Sequence, residues 1–136
     1  MKTPSKLTEH PRIKELNELI QACDSFNKKT NTKLTLHQIK VLSCCIQIPE
    51  GSFSTYGAIA RALKSSPRAV GQALRNNPFA PTVPCHRVIT SDYKIGGFDG
   101  QWGSGTKIQA KKELLTKEGL VFNEKLKTKL FINFEV

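Results

Sequence analysis

Two short helical segments joined by a tight polar turn constrain the fold of this chain more than any other feature. Thr55 is placed to cap a helix from Tyr56 to Leu63, and Lys64-Ser65-Ser66 then turns the chain. Ser66-Pro67 is typical of an N-cap followed by proline at the first helical position, which predicts a second helix from Pro67 to Asn76. Together the two segments predict a helix-turn-helix unit.

The outer face of the second helix is suited to a nucleic acid backbone. Arg68, Gln72 and Arg75 share this face, and the residues between them, such as Ala69 and Gly71, are small. Long polar side chains around a low surface let a helix lie close to phosphates. Taken alone, the face fits an ordinary solvated helix surface equally well.

The charge balance favours a polyanionic partner. The 136 residues contain 21 Lys+Arg and 11 Asp+Glu, a formal net charge of +10. The excess is concentrated in the middle of the chain, where residues 61–94 contain six basic residues and one acidic residue. Such a concentration predicts contact with nucleic acid, although a basic surface that serves solubility would give the same total.

The flanking segments predict further helices and little β-structure. Apolar residues recur at helical spacing from Pro11 to Phe26 and from Thr35 to Ile46, and residues 24–33 read as a polar connector. A last helix is predicted from Lys107 to Glu118, ended by Gly119. Val88-Ile89-Thr90 and Tyr93-Lys94-Ile95 predict a small hairpin. A closing strand is predicted in the tail around Leu126, Leu130, Ile132 and Phe134.

The predicted fold is mainly α: a winged-helix-like helix-turn-helix domain with a small β-hairpin, preceded by an N-terminal helical extension. Residues 1–34 form the basic extension with one amphipathic helix, and residues 35–136 form the domain that carries the chemistry. Cys23, Cys44 and Cys45 are interpreted as core or near-core residues, and no metal site is expected because no CxxC pair occurs. No apolar run is long enough to cross a bilayer, so no membrane partner is expected.

Cys85 is the candidate for chemistry, in the segment Pro84-Cys85-His86-Arg87. A cysteine at the start of a helical turn, next to basic side chains, is expected to favour the nucleophilic thiolate. His86 would reach the sulfur more easily through a water than directly, and Glu118 is a candidate to orient it. The competing interpretation is a buried structural cysteine beside a capping histidine.

A series of short motifs changes that balance. In order along the chain they are Ile48-Pro49-Glu50-Gly51, Ser54-Thr55-Tyr56-Gly57-Ala58-Ile59-Ala60, Arg68-Ala69-Val70-Gly71-Gln72-Ala73-Leu74, Asn76-Asn77-Pro78, Val83-Pro84-Cys85-His86-Arg87-Val88-Ile89, Gly96-Gly97-Phe98-Asp99-Gly100 and Lys112-Glu113-Leu114-Leu115, with Glu118-Gly119 behind them. From about Leu36 to Gly119 the chain closely resembles the C-terminal domain of the O6-alkylguanine-DNA alkyltransferases, also called methylated-DNA–protein-cysteine methyltransferases.

The resemblance implies a role for each matched residue. Cys85 would accept the alkyl group, while His86 (through a water) and Glu118 would form the relay that makes the thiolate. Tyr56 would donate its hydroxyl to the flipped guanine and help to rotate the nucleotide out of the duplex. Arg68 would fill the vacated place in the base stack, and the helix that carries it would use the minor groove. Ala69, Gly71, Gln72 and Arg75 would contact DNA, and the carbonyls of Cys85 and Val88 would bind the guanine amino group. Phe98, Asp99 and Gly100 would form a wall of the pocket. Asn77 would connect the recognition helix to the active-site turn.

The implied activity is direct-reversal repair of double-stranded DNA containing O6-alkylguanine, with O4-alkylthymine as a further candidate substrate. Transfer would be irreversible and would consume the protein, because a thioether has no good leaving group. No cofactor is implied, a monomer is expected, and the expected location is the nucleus in a eukaryote and otherwise the cytoplasm.

The chain departs from the family pattern in three places. About 35 residues with one helix stand where many relatives have an N-terminal domain, Asp99 replaces a small hydroxyl residue, and Gln101 to Ile108 form a longer connection. Two other classes of protein compete with the repair enzyme. One is a non-enzymatic alkyltransferase-like protein that binds the lesion, but its members lack the acceptor cysteine; the other is a plain helix-turn-helix regulator, which gives Cys85 no role.

Overall fold

The computed structural model describes residues 10–90, 106–120 and 126–136. Within them the chain is mostly helical, as the sequence predicts. The helices are α1 (Pro11–Ala22), α2 (Leu36–Ile46), α3 (Tyr56–Leu63), α4 (Pro67–Arg75) and α5 (Thr106–Lys117), with 3-10 turns at Cys85–Arg87 and Leu126–Lys129. The strands are β1 (Phe26–Asn27), β2 (Thr32–Lys33), β3 (Ser54–Thr55) and β4 (Val88–Ile89).

Side-chain caps set the starts of the central helices. The Thr55 hydroxyl accepts a hydrogen bond from the Ala58 N–H at 3.0 Å, and the Ser66 hydroxyl accepts from the Ala69 N–H at 3.1 Å. Each cap satisfies a backbone donor that the first helical turn leaves without a partner. Both caps and the two helices that follow them confirm the sequence prediction.

The core consists of two clusters of buried side chains. The larger one lies among helices α1, α2, α3 and α4, and it includes Leu16, Val41 and Val70, together with Cys44 and Cys45. These two cysteines are fully buried, which confirms their interpretation as core residues, whereas Cys23 is partly exposed. The smaller cluster packs α5 against the C-terminal segment and consists of Phe53, Ile89, Leu115, Leu120 and Leu126, with Leu130 against it.

Several predicted boundaries are wrong. Helix α1 ends at Ala22, and the predicted connector contains the antiparallel hairpin β1–β2, in which Phe26 pairs with Lys33. The hairpin was not predicted because its strands have two residues each, too few to show a pattern. The tail forms a 3-10 turn and a single parallel bridge between Phe53 and Leu130 in place of a strand.

The strand at Val88–Ile89 is present, and it has a partner that the sequence did not predict. It pairs in parallel with Ser54–Thr55, with Ser54 opposite Val88 and Thr55 opposite Ile89. The other predicted half of the hairpin, Tyr93 to Ile95, lies outside the described residues. The parallel pair has a consequence for the site, because it brings the first residue of α3, Tyr56, beside the turn that begins at Cys85. Among the helices in the described ranges, none has the length and apolar character needed to cross a membrane.

Candidate active site and nucleic-acid interface

The candidate nucleophile begins a one-turn 3-10 helix between Pro84 and β4. Its backbone is fixed by hydrogen bonds from the Cys85 N–H to the Val83 carbonyl and from the Arg87 N–H to the Pro84 carbonyl, each 2.9 Å. Cys85 packs against the larger core cluster and is only partly exposed. The turn therefore presents a thiol at the edge of the core, in a fixed position.

The thiol is not pre-ionised as the sequence leads one to expect. Burial raises the pKa of Cys85 above its ordinary value of 9.0, against the lowering effects of a hydrogen bond with the Asn77 side chain and of the charges of Lys111 and Lys29. The side chains of His86 and Arg87, its neighbours in sequence, are turned into a separate network with Glu118. The resting site holds a neutral thiol, so a base must take its proton when the reaction occurs.

His86 and Arg87 converge on one carboxylate. His86 Nε2 lies 2.9 Å from Glu118 Oε2, while Arg87 donates from Nε to Oε1 and from Nη2 to Oε2, both at 2.8 Å. Arg87 also donates from Nη1 to the Ile48 carbonyl at 2.8 Å. The predicted pairing of His86 with Glu118 is thus present, and Arg87 is a third member that the sequence did not indicate.

The network fixes the protonation of its members. Burial would raise the pKa of Glu118, but the hydrogen bonds from Arg87 and His86 hold it below 4.5. Burial lowers the pKa of His86 below 6.5 despite its contact with Glu118. At neutral pH the ring is therefore neutral beside an ionised carboxylate. A carboxylate only accepts, so Nε2 carries the ring proton and Nδ1 is left as the acceptor.

Asn77 joins α4 to the Cys85 turn. It follows the last residues of α4 and is buried, and its Nδ2 donates to the Val83 carbonyl at 2.9 Å. Its Oδ1 accepts from the Phe79 N–H at 2.9 Å, and its side chain also hydrogen-bonds Cys85. Asn77 lies between the two elements that it was expected to connect, and its role in coupling them stays a prediction.

Lys111 is a member of the site that the sequence motifs did not single out. Its side chain is 0% exposed, and Nζ lies 5.8 Å from the centroid of the Tyr56 ring. Burial lowers its pKa from 10.5 to about 8, although the nearby Cys85 and Cys45 thiols act to raise it. The signal available in the sequence was its spacing, since Lys111 lies four residues before the buried Leu115 on one face of α5.

Tyr56 lies across the site from Lys111 and is held in its neutral form. Burial raises the pKa of its hydroxyl well above 10, and the nearby Cys85 and Cys45 raise it further. A neutral hydroxyl can donate a hydrogen bond. The structure thus brings together Cys85, His86, Glu118, Tyr56 and Asn77 from four different parts of the chain.

The outer face of α4 is exposed as predicted. Arg68, Gln72 and Arg75 are exposed, and Ala69 and Gly71 are partly exposed between them. A Cβ atom added at Gly71 would meet nothing within 4 Å, so packing inside the chain does not require glycine there. This low point in a basic surface suits close approach by another molecule.

The remaining predicted residues are placed only in part. The Cys85 carbonyl accepts a hydrogen bond from the Val88 N–H, which leaves it one further lone pair, and Val88 is buried in β4. Phe98, Asp99 and Gly100, the predicted pocket wall, lie outside the described residues. Residues 101–105 of the long connection do so as well.

Comparisons with known proteins identify the family that this chain is similar to. A family model described as "6-O-methylguanine DNA methyltransferase, DNA binding domain" matches residues 37–120. A methylated-DNA–protein-cysteine methyltransferase of Pyrobaculum aerophilum is 32% identical over 122 residues, which are 90% of this chain and 70% of the relative. One of Methanothermobacter thermautotrophicus is 44% identical over 86 residues, 63% of this chain. The chain spans about half the length of this second relative, 46%.

Two solved structures show a similar backbone. The O6-methylguanine-DNA methyltransferase of Pyrococcus kodakaraensis KOD1 is 34% identical, with a TM-score of 0.55 over 79% of this chain and 62% of that one. S. pombe Atl1, solved in complex with damaged DNA containing O6-carboxymethylguanine, is 36% identical, with a TM-score of 0.54 over 62% of this chain and 77% of that one. The resemblance noted in the sequence is therefore confirmed.

Proposed function

The chain belongs to the 6-O-methylguanine DNA methyltransferase family, and from this premise we propose that it repairs O6-alkylguanine in double-stranded DNA by direct transfer of the alkyl group to Cys85. One arrangement carries the proposal: the partly buried thiol of Cys85 lies in the matched region, and the next residue, His86, is a neutral histidine held by an ionised carboxylate. That arrangement supplies both a nucleophile and a base, which a lesion-binding or regulatory protein does not need.

The reaction begins with a proton transfer. The Cys85 thiol gives its proton to the lone pair on His86 Nδ1 through a bridging water, while Glu118 holds the ring by its Nε2–H. The charge of Lys111 lowers the pKa of Cys85 and so stabilises the thiolate that forms. Burial, which opposes ionisation at rest, also makes the thiolate a stronger nucleophile because it is poorly hydrated.

Alkyl transfer is then a single displacement. The sulfur attacks the alkyl carbon, the S–C bond forms, and the C–O6 bond breaks with its electron pair passing to the guanine ring. Tyr56 donates a hydrogen bond from its hydroxyl to the base as charge develops, and the proton taken from Cys85 ends on guanine N1, which carries no proton while O6 is alkylated. The products are unmodified guanine and an S-alkyl cysteine, whose thioether offers no leaving group, so each molecule reacts once.

Access to the base requires that the nucleotide be flipped out of the duplex. Helix α4 enters the minor groove, with Ala69 and Gly71 at the close approach and Gln72 and Arg75 on the backbone. Arg68 fills the space in the stack that the base leaves. The helix-turn-helix belongs to a winged-helix-like domain with a small β-hairpin, and the protein acts as a monomer.

The substrate pocket is completed by backbone groups and by the loop after β4. The carbonyls of Cys85 and Val88 bind the guanine amino group, and Phe98, Asp99 and Gly100 wall the pocket. O4-alkylthymine is a further substrate. Residues 1–34 form an extension to the domain of residues 35–136.

The proposal is tested with DNA that carries a labelled O6-methyl group. Cys85→Ala should abolish transfer of label to the protein and leave duplex binding largely intact, whereas Cys23→Ala, a matched change at another partly exposed cysteine, should transfer as wild type does. With DNA in excess, mass spectrometry should find one methyl group per molecule. Label on Cys85→Ala, or repair of more DNA than protein present, would contradict the mechanism.

A second candidate follows from the similarity to S. pombe Atl1. In this alternative the chain binds the lesion without removing the alkyl group. The same assay separates the two, since lesion binding by the wild type without label on Cys85 would favour the alternative. The presence of Cys85 next to a neutral histidine that can act as a base argues against it.

A further inference from the structure

The hairpin β1–β2 is a basic element whose function the repair chemistry does not explain. Its exposed side chains include Lys28, Lys29 and Lys33, and residues 25–35 contain no acidic residue. The turn between the strands is closed by Asn31 in the left-handed region, at φ +59°. The hairpin therefore presents three lysines on a short, shaped loop.

A buried asparagine fixes the hairpin to the recognition helix. Asn27 is 0% exposed, and its Nδ2 donates to the Asn76 carbonyl at the C-terminal end of α4, at 2.9 Å. Its Oδ1 accepts from the Lys29 N–H at 2.9 Å, which sets the direction of the turn. Both the nitrogen and the oxygen of the buried Asn27 amide therefore have hydrogen-bond partners. These bonds hold the hairpin against the end of α4, so the two form one surface.

The hairpin also lies near the reactive thiol. The charge of Lys29 is among those that lower the pKa of Cys85. Helix α1, which precedes the hairpin, is fixed to the loop before Cys85 by a hydrogen bond from Arg12 Nη2 to the Thr82 carbonyl at 2.6 Å. The three lysines thus belong to a surface that runs from the Arg75 end of α4 toward the Cys85 site.

We propose that Lys28, Lys29 and Lys33 form a second DNA contact, which binds backbone phosphates of the strand whose nucleotide enters the Cys85 site. This inference rests on the proposed function, because it takes the substrate to be a duplex with one nucleotide flipped out. The phosphates that flank such a nucleotide must follow it to the edge of the site. Lysines on a fixed turn bind phosphates as point charges and carry no sequence preference.

The salt dependence of binding tests the proposal. Each phosphate neutralised contributes about 0.9 to the slope of log affinity against log salt concentration. A variant with Lys28→Gln, Lys29→Gln and Lys33→Gln should bind an alkylated duplex with a slope smaller by roughly 2 to 3 if all three lysines are engaged. The matched control replaces the exposed Lys14, Lys40 and Lys112, on α1, α2 and α5, by glutamine, which changes the net charge equally and should leave most of the slope.

A second measurement locates the contact on the DNA. Methylphosphonates, which are uncharged, replace the phosphates on each side of the lesion one at a time. At one or more of these positions the methylphosphonate should weaken binding by the wild type. The same replacement should not weaken binding by the hairpin variant any further, because that variant already lacks the contact. Additive losses at every position, or an equal fall in slope for the control variant, would overturn the hairpin contact. A wild type that neither binds the duplex nor accepts the alkyl group would instead refute the proposed function.

Discussion

Replacing Glu118 by glutamine should damage stability as well as chemistry. In the structure this carboxylate is shared: His86 approaches one oxygen, and Arg87 binds both through Nε and Nη2 at 2.8 Å. Glutamine retains one carbonyl oxygen and replaces the other by an NH2 group, which cannot accept, so at least one of the three hydrogen bonds is lost and the negative charge is removed. The Glu118→Gln protein therefore leaves the Arg87 guanidinium, which is 9% exposed, without a counter-charge.

The size of the effect follows from the burial of the pair. Two unit charges about 4 Å apart interact by about 4 kcal/mol at an effective dielectric constant of about 20. Removing one partner of a buried pair typically costs about 3–5 kcal/mol, because the other charge stays desolvated. We expect the free energy of unfolding at pH 7 to fall by about 3 kcal/mol, the lower end of this range, because Arg87 keeps its hydrogen bond to the Ile48 carbonyl.

Urea denaturation followed by circular dichroism measures this loss. The control is Glu113→Gln, an exposed carboxylate on the same helix, for which little change is expected. Because the pKa of Glu118 is lowered by folding, its contribution is present above about pH 4.5 and is lost as the pH falls through the folded value. The gap between wild type and Glu118→Gln should accordingly narrow in acid. A loss at pH 7 within about 0.5 kcal/mol of the control would refute the shared-carboxylate argument.

The transfer rate then separates structure from catalysis. Adding Arg87→Met to Glu118→Gln removes the isolated charge and should restore part of the lost stability. If Glu118 also orients His86, the double variant should still transfer slowly at neutral pH, with part of the rate recovered at higher pH. The amount of alkyl group per molecule should stay at one, because the relay sets how fast the thiolate forms. Transfer by the double variant at the wild-type rate would remove Glu118 from the relay.

Three further predictions concern single side chains. Arg68→Ala should slow repair of duplex DNA more than reaction with the free base O6-methylguanine, and equal losses on the two substrates would exclude the stacking role. Asn77→Ala should raise the pKa of the Cys85 thiol and slow transfer, because it removes a hydrogen bond that lowers that pKa; a thiol titration at unchanged pKa would contradict this. Because burial lowers the pKa of Lys111 to about 8, the unfolding free energy of the wild type should rise by about 3 kcal/mol between pH 8 and 10.5. Lys111→Met should abolish this rise. A wild-type stability that is flat over this range would show that Lys111 is not the source.

Most of the helical framework was predictable because its signals are local. The caps at Thr55 and Ser66, the proline at the start of α4 and Gly119 after α5 each act within a few residues of where they stand. Gly119 has φ +98°, a conformation that glycine adopts without strain. The ordered motifs around Cys85 likewise identified the family, since they depend on residue identity alone.

The features that the sequence did not predict depend on partners distant in sequence. The pairing of Val88 with Ser54 and the bridge of Leu130 to Phe53 join strands too short to show a pattern of their own. The Asp24–Lys33 segment reads as a connector because its order comes from Asn27 and the Asn76 carbonyl, 49 residues away.

Sequence by itself determined where α3 and α4 begin, which face of α4 is basic, and which cysteine is the candidate nucleophile. Only the tertiary structure decided the electrostatics of the site, because pKa values depend on burial and on charges from several elements. Folding buries Cys85 and so raises the pKa of a thiol that its neighbours in sequence would make acidic. Folding also pairs Arg87 with Glu118, so the positive charge closest to Cys85 in sequence is neutralised. Lys111, 26 residues away in sequence, is brought against Tyr56, and its charge lowers the pKa of Cys85.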